Sequence, residues 1–210
     1  MKKMYYKMGT LFFTVSTIYV CALIWKTYVW WQWLQSLQGN HALSLYKQIP
    51  KTLKENLEYR MDLLKWADTT DRQRTLWTAC RHDILFFINA FCWLYEPRNN
   101  RLRGTSSNVI PFMTYDFQDE AFLDMHKALG VKDIGLEKSR DLGATWMFLT
   151  LFFHGWMFND FASYGIMSRT ADLVDKPGKK DTLMWKLDFL LTGDGGKGGA
   201  EAAAFKVKSL

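Results

Sequence analysis

The segment that most restricts how this chain can fold is ATWMFLTLFFHGWMF, residues 144–158, which carries no ionisable side chain except one histidine. A helix made from it is apolar nearly all round, so the rest of the chain must enclose it. Just before it, residues 137–146 read EKSRDLGATW, and these in turn follow a short strand-like run, VKDIGL. Strand, tight loop and helix is the layout of a phosphate-binding loop, where successive backbone N–H groups and a helix N-terminus converge on anionic oxygens. The usual spacing, G-x-x-x-x-G-K-[ST], is not kept. With Gly143 as the second glycine and Thr145 as the Mg2+-binding hydroxyl, Ala144 occupies the usual lysine position and Lys138 the first-glycine position. A lysine entering at the loop's start can still fold over the same phosphates, and Arg140 is a second cation for them. Taken alone, one glycine, one threonine and a nearby lysine are also what a chance turn contains.

The rest of the chain reads mostly as helices. Residues 50–66 begin with a proline suited to a first helical turn, and Leu53, Leu57, Met61 and Leu64 recur at the three- and four-residue spacing of an amphipathic helix. Asp68-Thr-Thr-Asp71 breaks it and can cap the next. Residues 72–95 run as one helical stretch from a basic half into an apolar half, ILFFINAFCWLY, which at about 12 residues is core rather than membrane. Residues 96–110 are a basic surface loop. A further helix is expected from Asp116 to a stop at Gly130, a second short strand at 164–168, YGIMS, and a last helix at 182–191.

The ends differ from the middle. Three lysines precede an uncharged run at 9–25, and four of the chain's ten tryptophans sit before residue 35. The stretch 9–34 is long enough to span a bilayer if Lys26 is tolerated, with aromatic residues at the interface and the N-terminal lysines on the cytoplasmic side. A soluble helix buried against the chain is the other reading, and sequence leaves both open. From Thr192 the text turns to GDGGKGGAEAAAFKVKSL, without a core pattern. The domains expected are thus 1–40, an apolar helix; 41–110, a helical region; 111–192, a phosphate-binding domain; and 193–210, a Gly/Ala-rich tail.

Several functions are excluded or weakened. Cys21, Cys80 and Cys92 show no CxxC spacing, which fits a reducing cytoplasm and argues against a disulfide framework. His41, His82, His126 and His154 show no HxxxH or HExxH pairing, so a cluster of protein metal ligands is not expected. The net charge of +6 suits an anionic partner such as nucleic acid, ATP or a membrane surface without choosing among them. Arg98, Arg101, Arg103, Lys176, Lys179 and Lys180 lie on polar connectors and read as solvated surface before they read as DNA contacts.

Ahead of the loop lies PFMTYDFQDEAF, residues 111–122, in which aromatics and Gln118 could form an adenine site, since a glutamine amide both donates and accepts. Followed by LEKSRDLGATW, this stretch resembles the ATPase domain of the large terminase subunit of tailed bacteriophages, over roughly residues 45–191. That family has an N-terminal ATPase and a C-terminal nuclease, a Q-type adenine motif, and a deviant Walker A of the form KSRxxG[x][ST] with its lysine at the loop's start. The resemblance implies an α/β fold with a P-loop NTPase core of ASCE type preceded by helices. It matches Lys138, Ser139, Arg140, Gly143 and Thr145 to the Walker A, with Ala144 between them, and Gln118 to the adenine-reading glutamine. It implies ATP and Mg2+ as cofactors, Thr145 as the metal ligand, and work in the host bacterial cytoplasm. Double-stranded DNA, the small terminase subunit, the portal protein and further copies of the chain are the partners it implies.

The departures from the family also carry information. No apolar strand ends in the acidic pair of a Walker B: Asp119-Glu120 precedes the loop, and Asp172 and Asp175 follow no such strand. The nuclease carboxylates are missing. The chain therefore reads as a nucleotide-binding fragment, shifted, fused or recombined at both ends, without hydrolytic or nuclease activity of its own. Two rivals predict different behaviour. A small non-enzymatic membrane-associated protein built on residues 9–34 would ignore nucleotide. A helical DNA-binding module using 72–82 and 98–103 would bind DNA in a salt-dependent way that ignores Lys138.

Overall fold

The computed structural model describes residues 45–96 and 108–193, and from Tyr46 onward these belong to one compact unit. Seven helices and one hairpin make up its described part. After a short turn at Leu45–Gln48 come α1 (Leu53–Trp66), α2 (Thr70–His82) and α3 (Ile84–Phe91). Strands β1 (Trp93–Tyr95) and β2 (Val109–Pro111) follow, then α4 (Asp116–Ala128), α5 (Ala144–Phe158), α6 (Ala171–Val174) and α7 (Leu183–Thr192).

The two most apolar segments form the centre. Every residue of α3 is buried, and α5 buries nine of its own, among them Met147, Leu149, Leu151 and Phe153. They meet through aromatic rings: Phe87 packs on Phe158 edge-on at 5.5 Å and on Phe153 at 6.2 Å. Residues 72–95 are not one helix, because Asp83 takes extended backbone, ends α2 and caps α3 by accepting from the Phe86 N–H at 2.9 Å. Its other carboxylate oxygen accepts from Tyr46 N–H. One polar residue thus turns the chain and satisfies one of α3's orphan donors. The helix expected at 116–130 runs Asp116–Ala128, with Gly130 at φ +74°, and the last helix ends at Gly193, φ +79°, whose N–H bonds Phe189.

Three expectations need correction. The described residues hold no parallel sheet: the sheet is two-stranded and antiparallel, with Leu94 opposite Ile110. VKDIGL and YGIMS are both irregular, since neither finds a partner strand and a lone strand leaves its backbone groups unbonded. Residues 131–140 are exposed throughout, Val131 at 79%. On α1 the apolar spacing points the wrong way: Met61 and Leu64 are exposed, whereas Asn56, Arg60 and Leu63 face the core.

No helix among the described residues is long and apolar enough to cross a membrane. The run 9–34, the loop carrying Arg98, Arg101 and Arg103, and the tail from 194 lie outside the described residues.

Candidate functional site

The N-terminus of α5 is built as the sequence suggests. Gly143 is its N-cap at φ +75°, ψ +9°, and its carbonyl accepts from Met147 N–H at 3.0 Å. A β-carbon is strained in this left-handed region, so glycine suits the turn. The glycine N-cap brings no side chain to the helix start, and the first-turn N–H groups of Ala144, Thr145 and Trp146 have no partner within the helix. In front of them opens a cavity of about 620 Å3, within the size range of small-molecule sites. Lys138, Gly143, Ala144 and Thr145 all line it, as does Asp141. Ser139 and Arg140 are exposed and off this lining. The rest of the lining comes from Trp146 on α5 and from elsewhere: Tyr95 on β1, Lys180 and Asp181 before α7, and Lys186 on α7.

Gln118 is brought against this loop. Its Nε2 donates to the Leu142 carbonyl at 3.0 Å, and its Oε1 accepts from Tyr115 N–H at 3.0 Å. The second bond belongs to the N-terminal cap of α4, and the first ties α4 to the residue before Gly143. Gln118 and the 138–145 loop, adjacent in neither sequence nor element, therefore form one structure. The approach is close: a β-carbon on Gly143 would lie 3.2 Å from Gln118 Nε2.

A second polar cluster sits inside the fold, and sequence reasoning missed it. Asn89, on fully buried α3, accepts at Oδ1 from Thr114 N–H at 3.0 Å and donates from Nδ2 to Thr114 Oγ1 at 2.9 Å. The Thr114 hydroxyl donates to Asp119, and Lys51 Nζ reaches Asp119 at 3.2 Å and the Thr114 carbonyl at 2.8 Å. Asp119, excluded from the sequence as a Walker B acid, is thus the partner of Lys51. On the other side Arg60 donates to Asn89 and Cys92 carbonyls at 2.8 and 3.0 Å and to Asn56 Oδ1 at 2.7 Å. These carbonyls end α3, so a buried guanidinium closes the helix's negative end. Burial lowers the Arg60 pKa to about 10, which still leaves it charged at neutral pH, and it lies 4.9 Å over the Trp93 ring.

His154 on α5 does the same for α2. Its Nε2 meets the Cys80 carbonyl at 2.8 Å, so Nε2 carries the proton, and the buried Nδ1 has no partner among the described residues. Burial pushes its pKa down to about 4, with nearby His126 pushing the same way. Burial also pushes the Cys80 thiol up, and Cys92 to about 12, so neither is a thiolate at neutral pH. No group of three or more metal-ligating side chains occurs among the described residues.

Sequence reasoning missed Tyr95, Lys186 and the pocket-lining place of Lys180, because Tyr95 lies 43 residues before Lys138 and the two lysines lie 35 and 41 residues after Thr145, beyond a polar connector. The asparagine in ILFFINAFCW was the one visible signal of the buried cluster. Comparison of the chain with protein-family models, curated proteins and solved structures finds no match to any of them.

Proposed function

We propose that this chain binds the phosphates of ATP at the N-terminus of α5, as the nucleotide-binding piece of a DNA-packaging ATPase of the large-terminase type. The observation that carries this reading is the cavity in which Lys138, Gly143, Ala144 and Thr145 meet an uncapped helix N-terminus. Lys138 neutralises phosphate charge, and the first-turn N–H groups of α5 bond phosphate oxygens. Gln118 holds the loop in place through Leu142. Thr145, Asp141 and Asp181 share the lining, and their oxygens are of the hard kind that Mg2+ takes. When bound, Mg2+ would neutralise and orient the phosphates.

The reading takes the loop and helix of a P-loop NTPase core as the functional part, without the sheet. Double-stranded DNA, the small terminase subunit, the portal protein and other copies of the chain are its proposed partners in the host cytoplasm, through the whole motor. ATP hydrolysis and DNA cleavage are not assigned to this chain alone.

The test is a calorimetric titration of the full chain with Mg-ATP, with Lys138→Ala as control. Saturable binding that the substitution weakens about tenfold or more supports the reading, as expected for a lost charge-assisted bond. No binding to a folded wild-type chain sinks it.

A further inference from the structure

The cavity lining adds two cations that the phosphate-loop pattern does not contain. Lys180 and Lys186 line the cavity that Lys138 lines, and each ammonium lies against an aromatic ring: Lys180 Nζ 5.2 Å from the Tyr95 centroid, Lys186 Nζ 5.7 Å from that of Trp146. Cation–π contacts of this kind hold long side chains in place at little cost. The rings are themselves braced, Tyr95 by Trp185 at 5.1 Å and Trp146 by Phe189 at 5.9 Å. Lys186 is partly desolvated, which lowers its pKa against the pull of Asp181 and Glu96; an anion placed beside it would restore what burial removes.

The same geometry leaves little with which to read a base. The Gln118 amide is engaged at both ends, by Tyr115 N–H and the Leu142 carbonyl, and is buried. Both aromatic residues of the lining, Tyr95 and Trp146, already carry a lysine against the ring. The carboxylates of the lining, Asp141 and Asp181, can accept a hydrogen bond from the exocyclic amino group that adenine, guanine and cytosine all possess, so they do not choose among them.

We infer that Lys180 and Lys186 complete a three-lysine cradle with Lys138, and that the site reads a polyphosphate chain rather than the base attached to it. The ligand class is therefore the magnesium complex of a nucleoside triphosphate of any base, with inorganic tripolyphosphate an adequate substitute. This rests on the phosphate site proposed above and sharpens it.

The full chain is titrated in Mg2+ with ATP, GTP and inorganic tripolyphosphate, then repeated for Lys180→Gln and Lys186→Gln. The expected result is that the three ligands bind within about threefold of one another, and that each substitution weakens all three by about tenfold. Lys186→Arg keeps both charge and ring contact, so it should retain binding; it separates lost charge from lost folding, which circular dichroism checks directly. If ATP binds well while tripolyphosphate does not, the base is read and the inference fails although the nucleotide site stands. It fails equally if Lys138→Ala removes ATP binding while Lys180→Gln and Lys186→Gln leave it unchanged. If a folded chain binds none of the three, both proposals fall.

Discussion

The C-terminus of α3 and the N-terminus of α5 are helix ends within one compact unit, and they are finished in opposite ways. At α3 the orphan carbonyls of Asn89 and Cys92 are met from inside by Arg60, itself braced by Asn56. At α5 the glycine N-cap brings no side chain to the orphan N–H groups, and three lysines line the cavity before them. Both ends carry the partial charge of a helix dipole, negative at one and positive at the other. The first is neutralised by the protein and the second is left to something else. A closed end should therefore register as stability and an open end as binding, and substitutions at the two can be sorted by which quantity they move.

Arg60→Leu should have the largest effect. It removes three hydrogen bonds to a buried charge; the Asn89 and Cys92 carbonyls keep one donor each, Asn56 Nδ2 and Phe112 N–H, and the loss of the three charged bonds costs about 3–5 kcal/mol. Urea unfolding measures it; a loss below about 1 kcal/mol would mean that water reaches this helix end and that it is not closed.

His154 gives the second effect, through pH. Its folded pKa of about 4 lies below the ordinary value of 6.5, so the unfolded chain takes up the proton first. Its contribution is fully present above pH 6.5, falls as pH drops through the interval between the two values, and is lost below about 4, a total of about 3 kcal/mol. Thermal melts at pH 7.5 and 5 should differ for the wild type and differ less for His154→Phe, which replaces an imidazole already packed 4.8 Å from Phe158. Equal slopes for the two proteins would show that another group drives the acid loss.

How much of this was legible in the sequence follows the same division. The helix at 144–158, its glycine start and the helix from Asp116 were readable because they depend on apolar content and local turn chemistry, and the structure places them within a residue or two. The strands were not, because a strand exists only by pairing, and nothing in VKDIGL says whether a partner arrives. The face of α1 was misread for a similar reason. Leucine spacing points to Met61 and Leu64, yet Arg60 turns inward because two carbonyls at the end of α3 need donors, and that need appears only once the helices are packed. Within the candidate site, the loop residues Lys138, Gly143, Ala144 and Thr145 were legible from local order. Lys180 and Lys186 were not, since a solvated lysine and one facing a cavity look alike in a polar connector.

Lys51 lies between the two extremes. Its ammonium meets Asp119 at 3.2 Å, but its side chain is 36% exposed, so solvent takes up part of what Lys51→Met removes and about 1 kcal/mol is expected. Gly143→Ala should cost about as much, through the strained φ of +75°. It should also weaken Mg-ATP binding, because the new β-carbon crowds Gln118 Nε2 and displaces the loop. A variant that loses stability but keeps its ligand affinity would uncouple the turn from the site.

Lys138→Gln is the smallest stability effect and the sharpest division between the two helix ends. Lys138 is exposed and makes no hydrogen bond or ion pair with the described residues, so its removal should change unfolding free energy by no more than about 0.5 kcal/mol. If it faces the cavity for a phosphate, affinity for Mg-ATP should fall about tenfold with no change in the urea midpoint. A cation that costs nothing to lose from the fold but is needed for the ligand is the mark of an end left open for binding. If affinity and stability instead moved together, Lys138 would be holding the loop, and the open end of α5 would need another explanation.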